Sequence, residues 1–295
     1  MKITSGKIKK PHLGIVFGVE SSGKTTLGST YPNPIFVGPE NGSHNVDTSR
    51  FEGLKTYEDI LKSLNYLLTE KHEYKSVIVD SLDWIEPLLY KFLCTKYKTE
   101  VIEDVGGGFG RYVMVMLSEW GNFISALDKL RDSGMNVLLI AHYHVKAFND
   151  PSTTEPYDRY VMKLQEKTSA KFREWVDYVF FLNFETFTKK DRGMSKSKAF
   201  SDGERYIFTT KTAAYDAKNR FGLPEKMKLE TFKEIDLAIN GASVSEVEIL
   251  KQEISGMVLD IKDKELLPKV QTAIESAKND FSKLTAIKNR LKEIV

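Results

Sequence analysis

The sequence has little cysteine, little net charge and no long apolar run. Cys94 is the single cysteine among 295 residues, which excludes an intrachain disulfide and favours a reducing cytoplasmic setting. The 43 Lys and Arg against 41 Asp and Glu leave a net charge of +2, so any site for a polyanion must be a local patch. No apolar run is long enough to span a membrane or to form a secretory signal, so we expect no membrane partner.

What the sequence does contain is a phosphate-binding motif at Gly18–Thr25. These residues, GVESSGKT, match the pattern G-x-x-x-x-G-K-[ST] at every fixed position. Glycines allow turns that aim backbone N–H groups at a polyphosphate, the lysine spans the β- and γ-phosphates, and the threonine hydroxyl is suited to Mg²⁺. The motif therefore predicts a site for ATP and Mg²⁺, with nucleotide contacts from Gly18, Val19, Glu20, Ser21, Ser22, Gly23, Lys24, Thr25 and Thr26.

A buried strand is predicted directly before the motif, and two predicted strands after it are followed by acidic residues. Leu13–Phe17 is an apolar run that directly precedes the loop, and a second run at 34–38 is followed by Glu40. Because ligands bind at the carboxyl ends of parallel strands, we expect Glu40 to orient or deprotonate the attacking water. Glu20, inside the loop, is the competing carboxylate. Asp80 ends a third apolar run at 76–79 and is expected, with Thr25, to hold the metal ion.

His142 closes a further apolar run at 136–141. We expect this histidine to lie beside the γ-phosphate. A metal pair with His144, two residues away, is disfavoured because no third cysteine or histidine ligand is nearby.

Two segments interleave basic and aromatic residues, a pattern that suits single-stranded nucleic acid. The first is a glycine-rich loop at 106–111, whose spacing does not fit a dinucleotide fingerprint. The second, from Val145 to Thr168, is predicted to be a polar loop. Plain surface loops are the alternative for both. The candidate DNA-binding residues are Phe109, Arg111, Tyr112, Lys146, Tyr157, Arg159, Tyr160 and Lys163.

The end of the sequence changes in texture near residue 243, where apolar residues recur at helical spacing in three successive stripes. Nine basic and nine acidic residues cancel from this point onward. The sequence therefore predicts an ATPase core at 1–242 and a helical module at 243–295, which packs against the core or contacts a replication or recombination protein.

Residues 11 to about 230 resemble the RecA-like ATPases, and most closely their phage-type branch of single-strand annealing recombinases. The resemblance rests on GVESSGKTTL at 18–27, on Glu40 and Asp80 at strand ends, and on His142, where RecA itself has a glutamine. Residues 218–222, KNRFG, are similar to a motif of the RadA branch. The implied fold is α/β, a P-loop core with a mostly parallel sheet.

The resemblance also implies activity and assembly. It suggests an ATP-hydrolysing DNA recombination protein, in the host cytoplasm if phage-encoded, that binds single strands and promotes annealing or strand pairing. Lys218 and Arg220 would then reach a neighbouring subunit's nucleotide, in a ring or filament. The segments 98–112 and 145–168 would correspond to the two DNA-facing loops. A hexameric helicase-like motor and a slow nucleotide-switched binding protein remain open as alternatives.

Overall fold

The computed structural model describes residues 10–189, 198–229, 231–240, 244–259, 261, 266–278 and 280–292. The strands are β1 (Leu13–Gly18), β2 (Pro34–Val37), β3 (Ser49–Arg50), β4 (Ser76–Val79), β5 (Asn136–Ala141), β6 (Tyr143–Phe148), β7 (Tyr157–Met162), β8 (Tyr178–Lys189), β9 (Lys198–Phe208), β10 (Lys218–Asn219) and β11 (Lys226–Lys228). The helices are α1 (Lys24–Ser29), α2 (Tyr57–Thr69), α3 (Leu82–Tyr97), α4 (Tyr112–Asp132), α5 (Glu166–Trp175), α6 (Phe232–Asn240), α7 (Val244–Leu259), α8 (Leu266–Ala277) and α9 (Phe281–Lys292).

The main sheet has the order β11-β9-β8-β1-β5-β4-β2-β3, with β10 paired to β8. Strand β1 runs parallel to both β5 and β8, and β4 runs parallel to β5 and β2. The central strands are apolar throughout because helices cover both faces of a parallel sheet. The predicted α/β class with a mostly parallel sheet is confirmed.

Helices α2, α4 and α5 build the core over one face of this sheet. Helix α2 begins in a capping box, in which Thr56 and Asp59 each accept a hydrogen bond from the other's backbone N–H. The largest fully buried side chains of α4 and α5 are Trp120, Phe123 and Phe172, whose rings meet edge to face. This packing fixes the helices against the strands.

The carboxyl ends of β1, β2, β4 and β5 meet at one edge of the sheet, and two glycines allow the backbones to approach there. A Cβ on Gly18 would lie 2.0 Å from the carbonyl oxygen of Leu182, at the end of the β1–β8 pairing. A Cβ on Gly38 would lie 1.8 Å from the carbonyl oxygen of Asp80. Both positions therefore require glycine, and they hold the loops after β1, β2 and β4 together.

The prediction of a polar loop from Val145 to Thr168 is wrong. Strands β6 and β7 form an antiparallel hairpin that runs in register from Tyr143 opposite Met162 to Phe148 opposite Tyr157, and α5 follows at once. The rings of Phe148 and Tyr157 pack at 5.7 Å, and those of Tyr143 and Tyr160 at 5.4 Å. The aromatic residues that suggested nucleic acid also serve as cross-strand pairs, which stabilise a hairpin.

The described residues divide into two compact units after Lys233. In the second unit, α7, α8 and α9 enclose a small apolar core that includes Leu250, Ile254, Ala277, Leu284 and Leu291. The boundary predicted between residues 242 and 243 lies outside the described residues. Within the described part of the chain, no helix combines the length and apolar character needed to cross a bilayer.

Candidate nucleotide-binding site

The loop between β1 and α1 has the backbone geometry of an anion cradle. Ser21 and Gly23 both lie in the left-handed region, with φ of 59° and 92°. Successive residues that alternate in handedness turn their N–H groups to one side, which makes a concave surface for an anion. The Lys24 ammonium donates to the carbonyl oxygens of Gly18 at 3.0 Å and Val19 at 2.8 Å, and burial lowers its pKa.

Thr25 and Asp80 are brought together by the parallel register of the sheet. The Thr25 hydroxyl, in the first turn of α1, donates to Asp80 Oδ2 at 3.0 Å. Asp80 follows β4 and is 3% exposed. Burial raises its pKa to about 6, and the charge of Glu40 adds to the effect. A hydroxyl and a carboxylate at this spacing are an oxygen donor set of the kind that Mg²⁺ prefers.

Glu40 lies beside Asp80 and has two neighbours of its own. Its Oε2 accepts a hydrogen bond of 2.8 Å from the Ser81 hydroxyl, and its Oε1 lies 3.6 Å from His142 Nε2. A Cβ on Gly42 would lie 3.7 Å from Glu40 Oε1 and 3.6 Å from Thr25 Oγ1. The carboxylate is therefore held close to the Thr25–Asp80 pair.

His142 is fixed from behind by Asp83, in the first turn of α3. The Asp83 carboxylate accepts from the backbone N–H of His142 at 2.9 Å and lies 3.0 Å from the imidazole Nδ1. The Asp83 hydrogen bond raises the pKa of His142, and the charges of Asp83 and Glu40 act the same way against burial. Burial opposes ionisation of Asp83, but the bonds from His142 outweigh it and lower the pKa of Asp83. This arrangement turns the Nε2 edge of His142 toward Glu40.

Glu20, the competing carboxylate, has a different partner. Tyr143, at the start of β6, lies close to Glu20: burial raises the pKa of the Tyr143 hydroxyl, and the nearby charge of Glu20 adds to the effect. The glycine loop thus lies beside the first residue of the hairpin, directly after His142. Glu40 lies among the groups around Asp80, whereas Glu20 lies beside the first residue of β6.

A cavity of about 450 Å³ connects these groups, a size in the range of small-molecule sites. The loop, the strand-end acids and the histidine face the same space, so the residues present fit a nucleoside triphosphate with Mg²⁺. The cavity is lined by Glu20, Ser21, Gly23, Lys24, Thr25, Thr26, Glu40, Gly42, Asn45, Asp80, His142 and Arg205.

Lys218 and Arg220 lie away from this cavity. Strand β10 pairs with Tyr178 and Val179 at the amino end of β8. The glycine loop begins opposite Leu182, about 13 Å from Tyr178 along the same strand. The Lys218 ammonium donates to the carbonyl oxygens of Arg173 at 2.7 Å and Glu174 at 3.0 Å, which caps the end of α5. Arg220 Nη1 lies 3.2 Å from Asp177 Oδ1. Neither cation is placed to reach the nucleotide site of its own chain.

Half of the candidate DNA-binding residues have exposed side chains. Phe109 is 99% exposed on the glycine-rich loop, and Arg111 is exposed beside it. On the hairpin side, Lys146 is exposed and pairs with Glu166 at 2.9 Å, and Lys163 is exposed. These four side chains are accessible to a partner.

The remaining four candidates have interactions within the protein. Tyr112 packs against the core, and Tyr160 packs against the rings of Tyr143 and Phe181. The Tyr157 hydroxyl donates to Asp150 at 2.9 Å. Arg159 is 3% exposed, with its guanidinium 2.7 Å from Asp216 and over the ring of Phe148. This placement leaves the Arg159 side chain no surface to offer to a DNA strand.

Sequence reasoning missed three residues that organise the site: Ser81, Asp83 and Tyr143. Ser81 and Asp83 come shortly after β4, just beyond Asp80, and Tyr143 directly follows His142. Position after a strand end was therefore an available signal. Their partners, Glu40, His142 and Glu20, are distant in sequence and could not be read from it.

The Asp83–His142 pair has a testable effect on titration. Asp83→Asn removes the charge that stabilises the imidazolium, so the pKa of His142 should fall, as measured by NMR titration. In the wild type the ion pair stabilises the fold fully below the ordinary pKa of 6.5 and loses this contribution as the pH rises through the raised pKa of His142. The free energy of unfolding of the wild type should therefore exceed that of Asp83→Asn by less and less as the pH rises from below 6.5 through the raised pKa of His142.

Asp132→Asn, which removes an exposed carboxylate at the end of α4, is the matched control and should leave the pKa of His142 unchanged. An unchanged His142 pKa in Asp83→Asn would contradict the pairing.

Comparison with known proteins places this site in a family. Residues 10–221 match the family model described as AAA domain. An SPbeta prophage-derived uncharacterized protein, YorG, of Bacillus subtilis (strain 168) is 26% identical over 132 residues, which cover 43% of this chain and 39% of that protein. The chain thus spans well under half the length of this relative. Because the family model covers more than half of the chain and its glycine loop, the chain belongs to the AAA-domain family of P-loop ATPases.

Proposed function

We propose that this ATPase is a DNA recombination protein of the RecA-like type, which binds single strands and promotes annealing or strand pairing. The observation that supports this most directly is the link between the nucleotide site and the hairpin. Strand β6 begins one residue after His142, and its first residue, Tyr143, lies beside Glu20 of the glycine loop. A change in the contact between His142 and the γ-phosphate can therefore be transmitted directly to the β6–β7 hairpin, which lies on the surface. The similarity to a prophage-derived protein suits a phage recombination role.

The proposed hydrolysis uses the groups that converge on the cavity. Lys24 binds the phosphates, Glu40 takes the proton of the attacking water, and His142 contacts the γ-phosphate. Thr25 and Asp80 would hold Mg²⁺, which neutralises charge on the phosphates. The Ser81 hydroxyl and the His142 ring both lie within reach of Glu40 and keep its carboxylate oriented.

The proposed DNA surface lies on the same side of the sheet as the nucleotide. Helix α4 is 21 residues, about 31 Å, long and ends just before the amino end of β5, so it begins on the side of the carboxyl ends. The glycine-rich loop with Phe109 precedes α4, and the hairpin follows the carboxyl end of β5. An exposed aromatic ring and exposed cations on this side suit the bases and phosphates of a single strand.

Assembly into a ring or filament is proposed from the position of Lys218 and Arg220. These cations lie at the amino edge of the sheet, opposite the glycine loop of their own chain. Arg220 keeps half of its side chain exposed despite its pairing with Asp177. A neighbouring subunit that presents its nucleotide at this edge would bring Arg220 to the γ-phosphate, as an arginine finger in trans.

The assignment of the catalytic base is tested by two matched substitutions. Glu40→Gln keeps the shape of the side chain but removes the base, so hydrolysis should fall by at least about 100-fold while ATP binding stays close to normal. Glu20→Gln should leave hydrolysis mainly intact. Turnover is measured as phosphate release with saturating ATP, and Lys24→Ala serves as the inactive control. The opposite pattern, with Glu20→Gln inactive and Glu40→Gln active, would assign the role to Glu20.

The DNA surface is tested by filter binding of single strands and duplex, with and without a non-hydrolysable ATP analogue. Stacking is worth about 1 to 3 kcal/mol per base, so Phe109→Ala should weaken single-strand binding by about 10-fold. Lys163→Ala should flatten the salt dependence by about one counterion. Ile249→Ala removes an exposed apolar side chain from the second unit and should change neither. Equal affinity for single strands and duplex, indifferent to nucleotide, would contradict the proposal.

The finger in trans is tested by mixing two inactive proteins. Lys24→Ala lacks a working glycine loop, and Arg220→Ala lacks the finger. A mixture forms interfaces that carry an intact loop from one chain and an intact Arg220 from the other, so ATP turnover should recover. Assembly is followed by light scattering. Mixed assemblies with no turnover at any ratio would contradict a finger in trans.

A further inference from the structure

Arg205 lies next to the glycine loop of its own chain, on a strand that sequence reasoning did not connect with the site. It pairs with Phe184 across β8 and β9, two residues beyond Leu182, and Leu182 pairs with Gly18 at the end of β1. The backbone is held there by a hydrogen bond of 2.9 Å from Leu229 N to the carbonyl oxygen of Arg205. The position is therefore set by the sheet.

The Arg205 side chain reaches over the loop. A Cβ on Gly23 would lie 3.5 Å from Arg205 Nη1 and 3.6 Å from its Cδ, so the guanidinium approaches the backbone of the cradle itself. Arg205 also lines the cavity that contains Lys24, Thr25 and Asp80.

The positive charge of Arg205 is not neutralised by an ion pair with any described residue. By contrast, Arg131 and Arg220 pair with Asp177, and Arg159 and Arg173 pair with Asp216. The cavity also holds the carboxylates of Glu20, Glu40 and Asp80, so a polyphosphate entering it needs cations in addition to Lys24. A planar guanidinium can bind two phosphate oxygens at once.

We propose that Arg205 is a ligand, supplied in cis, for the α- and β-phosphates of a nucleoside di- or triphosphate in the glycine loop. The proposal rests on the nucleotide site but not on DNA binding. The α- and β-phosphates are the ones that the backbone of such a loop cradles, and Gly23 is part of that backbone. The consequence is that Arg205 contributes equally to ATP and ADP, unlike His142 or a finger in trans, which would recognise the γ-phosphate.

The test measures the Kd of fluorescent ATP and ADP analogues for the full chain by titration with Mg²⁺ present. Arg205→Ala should weaken both nucleotides by a similar factor, about 10- to 100-fold, the cost of losing a charge-assisted bond. Arg205→Lys should recover part of the loss, and Arg205→Gln should resemble Arg205→Ala. Lys228→Ala, on the adjacent strand β11, removes an exposed cation and should bind as wild type.

The controls separate failure of this proposal from failure of the site. If Lys24→Ala abolishes binding and Arg205→Ala binds both nucleotides as wild type does, the proposal is overturned and the site stands. If Arg205→Ala weakens ATP alone, the contact is to the γ-phosphate and the proposal is overturned. Arg205 is exposed, so thermal unfolding of its variants should match the wild type; an affinity loss shared by Arg205→Gln at unchanged melting supports the proposal.

Discussion

Backbone hydrogen bonds hold β1, β5, β4 and β2 in parallel register, and this register determines where the site's side chains lie. Val16 pairs with Ile140 and Ile78 with Leu138, so the residues that follow these strands emerge side by side. Gly18 and Gly38 allow the closest approach at that edge. Thr25, Glu40, Asp80 and His142 have no local sequence relation to one another, and the sheet alone brings them together.

The same convergence buries like charges close together, and neighbouring groups partly offset the cost. Burial is the main reason that the pKa of Asp80 rises to about 6, and repulsion from the charge of Glu40 adds to the rise. Lys24, the Thr25 hydroxyl and His142 each favour the ionised form of Asp80. The lowered pKa of Lys24 has the same origin in burial. A site in which both the acid and the lysine are displaced from their usual pKa values is organised to receive further charge.

The sequence was a sufficient guide to the buried strands β1, β2, β4 and β5 and to the motif, because buried apolar runs and a glycine loop are local signals. It failed on the segment after Val145, because β6 is exposed from Val145 to Phe148 and its polar and apolar residues do not separate into an exposed and a buried face. Arg159 was read as a surface cation because Asp216, its partner, lies 57 residues away. Lys218 was likewise predicted to reach a neighbouring subunit's nucleotide, because the carbonyl oxygens of α5 that it caps are distant in sequence. Long-range partners decide the role of a charged residue, and no local pattern reveals them.

Tyr143, the first residue of the hairpin, lies beside Glu20 of the glycine loop, and thermodynamic linkage gives this proximity a consequence in both directions. If nucleotide in the loop changes the affinity of the hairpin for a ligand by some factor, that ligand must change the affinity for nucleotide by the same factor. The coupling cannot exceed the free energy by which each ligand distinguishes the two arrangements of these few side chains. The coupling free energy between the nucleotide site and the hairpin is therefore limited to what a single tyrosine hydroxyl and a neighbouring imidazole can contribute.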